Sequence, residues 1–276
     1  MVGSLEGKAQ GGISLKPVTT VILAGDRGPS DPLIQSTGKA CKAFVEVGGR
    51  PMYEGVADAL FNSALVDRLV FCGPSQDAVQ NDQRFQKRLG EMNAQWIAPA
   101  RSPCKSVLAS LERLPEDEPV LVTTADHALL SSELVTDFVG QAQAMDGDLI
   151  FAVADHDNVS LHFPTIRKTV HRLKGGSWCG CNLFYFKNAR ARRAADYWRR
   201  VEDNRKKPLR AARLIGWGFL LKLVLRRMDL NEATRQIGRR MGITVAHVKL
   251  DQPLASIDVD SVADLEFVES LLAFKE

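Results

Sequence analysis

The chain has no apolar run long enough to cross a bilayer, no GxSxG elbow or Cys-His arrangement suited to acyl transfer, and no CxxC pair with histidine partners suited to zinc. Net charge is also scarce. Thirty-six basic against 33 acidic residues leave +3, too little for wholesale nucleic-acid binding, so any basic surface is local and no nucleic-acid partner is expected. The five cysteines, Cys41, Cys72, Cys104, Cys179 and Cys181, are odd in number and scattered; they read as reduced thiols of a cytoplasmic protein. Residues 1–17, MVGSLEGKAQGGISLKP, hold no continuous apolar core. They are expected to be a loose tail ahead of one domain over 18–276, neither signal peptide nor membrane span.

What is present is core-forming material. Hydrophobic residues make 45% and charged residues 25% of 276, enough for one large α/β domain or a domain with a small appendage. Beyond the tail, short apolar strands alternate with helix-length segments: a strand over Val18 to Ala24, a helix over Pro51 to Ser63, the strand RLVFCG, a helix over Gln76 to Gly90, and the strand NAQWIA. A helix over Lys105 to Leu114, the strand PVLVTTAD, a helix over Ser131 to Ala144 capped near Ser131, and the strand GDLIFAVA follow. That alternation predicts a mainly parallel sheet. TIRKTVHRLKGGSWCGCNLFYF then reads as two strands joined across Gly175 and Gly176, an antiparallel excursion. Helical residues from about 188 to 241 come next. ITVAHVKL and LASIDVD return to strand, and Val262 to Ala273 is helix.

In an open α/β sheet, ligands gather beyond the carboxyl ends of the parallel strands. The first strand ends in Leu23 and Ala24, and Gly25, Asp26, Arg27 and Gly28 follow it. Glycine lets backbone amides turn toward an anion and arginine adds a fixed charge, which together suit a phosphate chain. PVLVTTAD ends in Asp126, a carboxylate at the sheet edge of the kind magnesium accepts, one or two per site, from protein. The rival role for Asp126 is a helix cap, but Ser131 and Ser132 already serve there. His127 alone makes a poor metal site and reads as a loop histidine. Asp258 and Asp260, two apart on an extended segment, are expected to face one side.

Leu23-Ala24-Gly25, an arginine, a variable loop, and then Lys42-Ala43-Phe44-Val45-Glu46-Val47-Gly48-Gly49-Arg50-Pro51-Met52 resemble the MobA-like nucleotidyltransferases, most strongly over 19–60. The resemblance implies a Rossmann-like three-layer sandwich and magnesium-dependent transfer of a nucleoside monophosphate from a triphosphate to a phosphorylated acceptor, with release of pyrophosphate. It gives the glycine-rich loop and Arg27 to the triphosphate and Lys42 to the α-phosphate, with Lys39, in the longer loop, as a competitor. It gives Asp126 to the metal and Asp260 to a second metal bond. The proline of the family's last acidic element is absent, so the choice between Asp258 and Asp260 stays open, while Asp264 matches its helix-capping acid. Ser106 falls where relatives contact base and sugar, and Gly180 and Asn182 where they border the acceptor. A nucleotide-sugar-dependent glycosyltransferase is an alternative, though Asp126-His127-Ala128 lacks Asp-x-Asp; a non-catalytic nucleotide-binding or membrane-surface protein is another.

The region 188–241 is the least family-like. Arginines and lysines from Arg190 to Arg213 outnumber Asp196, Glu202 and Asp203, and LIGWGFLLKLVL follows. A basic stretch leading into an apolar helix suits peripheral contact with an anionic membrane through 190–228. About a dozen apolar residues are too short to span, and the favoured arrangement is a helical insertion covering the acceptor side.

Overall fold

Six consecutive apolar or β-branched residues form β1 (Val18–Leu23), buried at every position but the last, the pattern of a strand covered on both faces. The structure, a computed structural model, describes residues 15–273 apart from Arg27 and Pro29. After β1 the chain passes through α1 (Pro32–Thr37), a hairpin of β2 (Glu46–Val47) and β3 (Arg50–Pro51), α2 (Met52–Phe61), β4 (Val66–Cys72), α3 (Gln76–Asn81), α4 (Gln83–Glu91) and β5 (Gln95–Ile97). Then come α5 (Pro103–Leu111), β6 (Val120–Thr124), α6 (Ser132–Ala144), β7 (Leu149–Asp155), α7 (His156–His162), β8 (His171–Leu173) and β9 (Gly176–Phe186). The remainder is α8 (Arg192–Asp203), α9 (Pro208–Ile215), α10 (Trp217–Val224), α11 (Leu230–Met241), β10 (Val245–Leu250) and α12 (Val262–Ala273).

The strands lie in the order β10-β7-β9-β6-β1-β4-β5, with β8 paired to β9. All neighbours are parallel except β9, which runs antiparallel to β6, β7 and β8. This is the mainly parallel sheet with an antiparallel excursion that the alternation predicts. Because side chains alternate along a strand, the sheet sorts its apolar residues into two layers. Ile22, Leu69, Phe71, Leu121 and Ile150 face α2, α6 and α12; Val21, Val70, Val120, Val122 and Leu149 face α5, α8 and α11. Three layers result. In the first, Tyr53, Phe71 and Phe85 meet edge to face with centroids 4.9 to 6.1 Å apart, which locks α2 and α4 to β4.

Four local expectations are corrected. The helix expected over 76–90 is two, because Asp82 turns extended and its Oδ1 accepts from the Phe85 amide at 2.7 Å, starting a new helix. The helix expected from Lys105 begins at Pro103 with Ser102 as its cap. LIGWGFLLKLVL is not one helix but the end of α9 and all of α10, divided by Gly216 at φ +97°. LASIDVD is not a strand: Pro253–Ser256 is a 3₁₀ turn and 257–260 carry no ladder. Ala255, Ile257 and Val259 are nonetheless fully buried and Ser256 is buried between them, so the segment packs inward without strand pairing.

The Gly-Gly-Arg-Pro element is the β2–β3 hairpin. Gly48 and Gly49 both have positive φ, +57° and +71°, the two-residue turn that matches strand twist and that side chains resist. A Cβ on Gly48 would come within 3.0 Å of Leu272 in α12, so the hairpin and the last helix rest on each other.

Candidate active site

The carboxyl ends of β1 and β6 and the loop before α12 meet at one edge of the sheet. Lys42 opens a short 3₁₀ turn directly after the variable loop, and Ala43 and Phe44 anchor that turn in the core. The lysine stem is thereby held, and its ammonium reaches acids 84 and 218 residues away: Asp126 Oδ2 at 2.6 Å and Asp260 Oδ1 at 2.5 Å. The Asp126 carbonyl accepts from the Val259 amide at 3.0 Å, which ties the β6 end to the final acidic loop. Asp264 accepts from the Asp260 and Ser261 amides and from the Ser261 hydroxyl, and Ser261 Oγ accepts from the Asp264 amide. This reciprocal cap fixes the backbone that presents Asp260.

Lys42 is 12% and Asp126 20% exposed. Burial opposes the lysine's charge, but Asp126 and Asp260 prevail and raise its pKa above the ordinary 10.5. Lys42 is therefore a fixed cation at neutral pH. Lys39, its competitor, instead bonds Glu46 at 2.5 Å on the surface. Asp126 Oδ1 is buried with no hydrogen-bond partner. An orphaned carboxylate oxygen beside a second acid fits a hard divalent cation, which draws only one or two carboxylates from protein. Among the described residues, no three His, Cys, Asp or Glu side chains gather as a metal cage. His127 is enclosed against the Leu254–Ala255 backbone, and burial holds it down to about 4, a neutral imidazole.

The phosphate-loop candidates are partly placed. Leu23 ends β1, and the buried Ala24 donates to the Cys72 carbonyl at 2.8 Å. Gly25 and Asp26 are exposed, and Asp26 Oδ1 accepts from the Gly28 amide at 2.7 Å, folding the loop back on itself. Arg27 lies outside the described residues. Gly73, which sequence reasoning passed over, lies against this loop at φ +97°. A Cβ there would meet Ala24 and Gly25 backbone atoms at 2.7 Å, so only glycine lets β4 end this close. Ser106 is not brought to the Lys42 cluster. It is buried, and its hydroxyl accepts from the Ala100 amide at 2.9 Å.

A family profile for the MobA-like NTP transferase domain matches residues 20–211. The chain belongs to the MobA-like NTP transferase family. Its Lys42, Asp126 and loop after β1 lie within the matched span, while Asp258 and Asp260 lie beyond it. Among solved structures, this MobA-like transferase is similar to a hypothetical transferase from Thermus thermophilus, 30% identical at a TM-score of 0.72 over 90% of this chain and 99% of that one. It also resembles CMP:2-keto-3-deoxy-manno-octonic acid synthetase complexed with CTP (11%, TM-score 0.57, 95% and 100% covered). A third neighbour is 4-diphosphocytidyl-2C-methyl-D-erythritol synthase from Anaerococcus prevotii DSM 20548 (14%, TM-score 0.54, 94% and 96% covered). The last two likenesses show the fold alone. No curated protein matches the chain.

The two acids of the last loop are hydrogen-bonded to different lysines, although Lys168 also feels the charge of Asp260. Asp260 joins Lys42, whereas Asp258 pairs with Lys168 and accepts from Asn182 Nδ2 at 3.0 Å. Without strand pairing, the loop is free to aim alternate acids at different cations. Asn182 has φ +50° where β9 bulges against β7, and the bulge turns its amide toward Asp258. Gly180, two residues earlier, is exposed. Lys168 was missed in the sequence. It sits in an irregular stretch with no flanking motif, and its side chain is only 9% exposed; burial lowers its pKa, with Asp264 and Asp260 pulling the other way. An open groove of about 570 Å³ between α5 and α8, lined by Leu108, Glu112 and Arg200 among others, shares no residue with either lysine cluster.

Proposed function

We propose that this MobA-like transferase moves a nucleoside monophosphate from a nucleoside triphosphate to a phosphorylated small-molecule acceptor. An acceptor oxygen attacks the α-phosphorus, the bond to the departing oxygen breaks in line, and pyrophosphate leaves. The barrier is largely the cost of bringing anions together and holding charge as it moves onto the leaving group. One observation carries the reading: acids from distant stretches converge on a single, permanently charged lysine at the carboxyl edge of a parallel sheet. An oriented cation in a partly enclosed site needs no reorganisation as charge develops. Lys42 would hold the α-phosphate, and the amides around Gly25, with Arg27 by its motif position, would hold the outer phosphates.

Asp126 and Asp260 would hold magnesium, Asp126 through its orphaned oxygen. When bound, the ion supplies divalent charge against phosphate oxygens that repel the incoming nucleophile. Asp258, held by Lys168 and Asn182, is then left to border the acceptor beside Gly180. Incubation with each nucleoside triphosphate, magnesium and a panel of phosphorylated acceptors should yield pyrophosphate only when an acceptor is present. Nucleotide binding without pyrophosphate under any pairing would leave a binding protein instead. Transfer of sugar from a nucleotide sugar would establish the glycosyltransferase alternative.

A further inference from the structure

We infer that the outer face of α9 and α10 docks on an anionic lipid bilayer. The inference stands apart from the transferase reading, because none of the residues involved belongs to the Lys42 cluster. It starts from a helix that is apolar on two sides. Phe219 and Leu223, four apart on α10, pack against Val153, Leu173, Trp178 and Met228 at the β7–β9 end of the sheet. That contact uses one face. Trp217, Leu221 and Val224, spaced i, i+4, i+7, make a second face and are 59%, 60% and 77% exposed. Leu225 continues that face at 50%, and Leu209 on α9 is 72% exposed. No residue of α9 or α10 is buried. Large apolar side chains scattered singly are ordinary on a surface, but a contiguous group marks a contact.

The charge around the group selects the partner. Residues 204–228 contain Arg205, Lys206, Lys207, Arg210, Arg213, Lys222, Arg226 and Arg227 and not one acid. All eight side chains are exposed, and among the described residues only Lys222 forms an ion pair, with Glu232 at 2.9 Å. An apolar wedge that includes a tryptophan, rimmed by lysine and arginine, matches a headgroup layer: the apolar face enters the acyl boundary while the rim meets lipid phosphates. A second copy of the chain fits poorly, since a two-fold contact would set eight cations against eight. Nucleic acid would satisfy the rim but not the wedge. Nor is this a span: among the described residues no helix is long and apolar enough to cross a membrane.

Flotation of the full chain with vesicles of phosphatidylcholine, with and without phosphatidylglycerol, tests the inference. The protein is expected to float with the phosphatidylglycerol vesicles and far less with phosphatidylcholine alone, and rising salt should weaken the association. Leu221→Asp with Val224→Asp should lower the bound fraction at least tenfold. Arg210→Glu with Arg213→Glu should do the same by a different route, while both variants keep the wild-type melting temperature because all four side chains are in solvent. Absence of flotation with the anionic vesicles overturns the inference. So does equal flotation of the variants and wild type, or sedimentation as a dimer that the two aspartates dissolve.

Discussion

Two parts of this molecule use positive charge in opposite ways. At the sheet edge, Lys42 is mostly enclosed and each oxygen it meets is a carboxylate brought from far away in the chain. Across α9 and α10 the cations stand in solvent without acids nearby in sequence. Helix α8 shows that the contrast lies in pairing and burial, not in arginine as such. Arg192 donates to the carbonyls of Leu111, Leu114 and Pro115, capping the end of α5, and Arg199 pairs with Asp196 and Asp203. A charge taken out of water is kept only with partners; a charge left in water is free to meet an outside partner. An enclosed, paired lysine suits the proposed chemistry, and an open, unpaired stretch suits recognition.

The largest expected effect comes from removing an acid of the enclosed cluster. Asp126→Ala should lower kcat by at least about 1000-fold, with circular dichroism and melting showing an intact fold; activity within tenfold of wild type would remove the assignment. Lys42→Met comes next, with kcat down by about 100- to 1000-fold. It also removes the Lys42 ammonium from Asp126 and Asp260, so added magnesium should raise the melting temperature more than in wild type. An equal magnesium shift in both proteins would mean that lysine and ion do not share these acids.

How much of this contrast the sequence shows depends on whether a residue's neighbours are local. Strands β1, β4, β6 and β7 are legible because burial on both faces leaves near-continuous apolar runs, and the hairpin because two adjacent glycines admit few turns. Asp126 and Asp260 are visible from their places at a strand end and before a helix, and Lys42 through the family resemblance of the hairpin it precedes. Lys168 is not, because nothing beside it marks a lysine that a bulge in β9 and a loop 90 residues away will enclose. LASIDVD misleads for a related reason. Its apolar residues Ala255, Ile257 and Val259 are spaced like those of a strand, yet the backbone spends its Val259 amide on Asp126 rather than on a ladder. Ser106 lies one turn inside a helix that Ser102 caps, and its hydroxyl is taken by the Ala100 amide.

A smaller effect separates paired from open arginines. Arg192→Met should cost about 2 kcal/mol, since three carbonyls lose a charged donor, and should lower the melting temperature by roughly 4–8 °C. Arg213→Met should stay within about 0.5 kcal/mol of wild type. Similar losses for both would erase the distinction between structural and open charge.

The smallest effect is a pH dependence on the acidic side of the same contrast. Glu54 is 4% exposed and receives two bonds from Arg84, at 2.5 and 2.8 Å, and one from Arg50 at 3.4 Å. Burial alone would raise its pKa, but the guanidiniums hold it below the ordinary 4.5. A depressed folded-state value contributes stability above the unfolded value and loses it as pH falls through the folded one. Urea melts should therefore show wild type losing stability below about pH 4.5, with a shallower loss in Glu54→Gln. Parallel curves would detach this cluster from acid unfolding.

The bond between Lys42 and Asp260 also sets a timetable. A ribosome adding about 5–20 residues per second needs roughly 10–40 s to travel the 218 positions between them. For that interval the nascent sheet can already be assembling while the Lys42 cluster lacks one of its acids and the hairpin lacks the helix that rests on it. The newborn chain is thus a fold before its Lys42 cluster is complete, and a message cut between codons 211 and 260 would yield the family's matched span without the acid that joins Lys42 from the last loop.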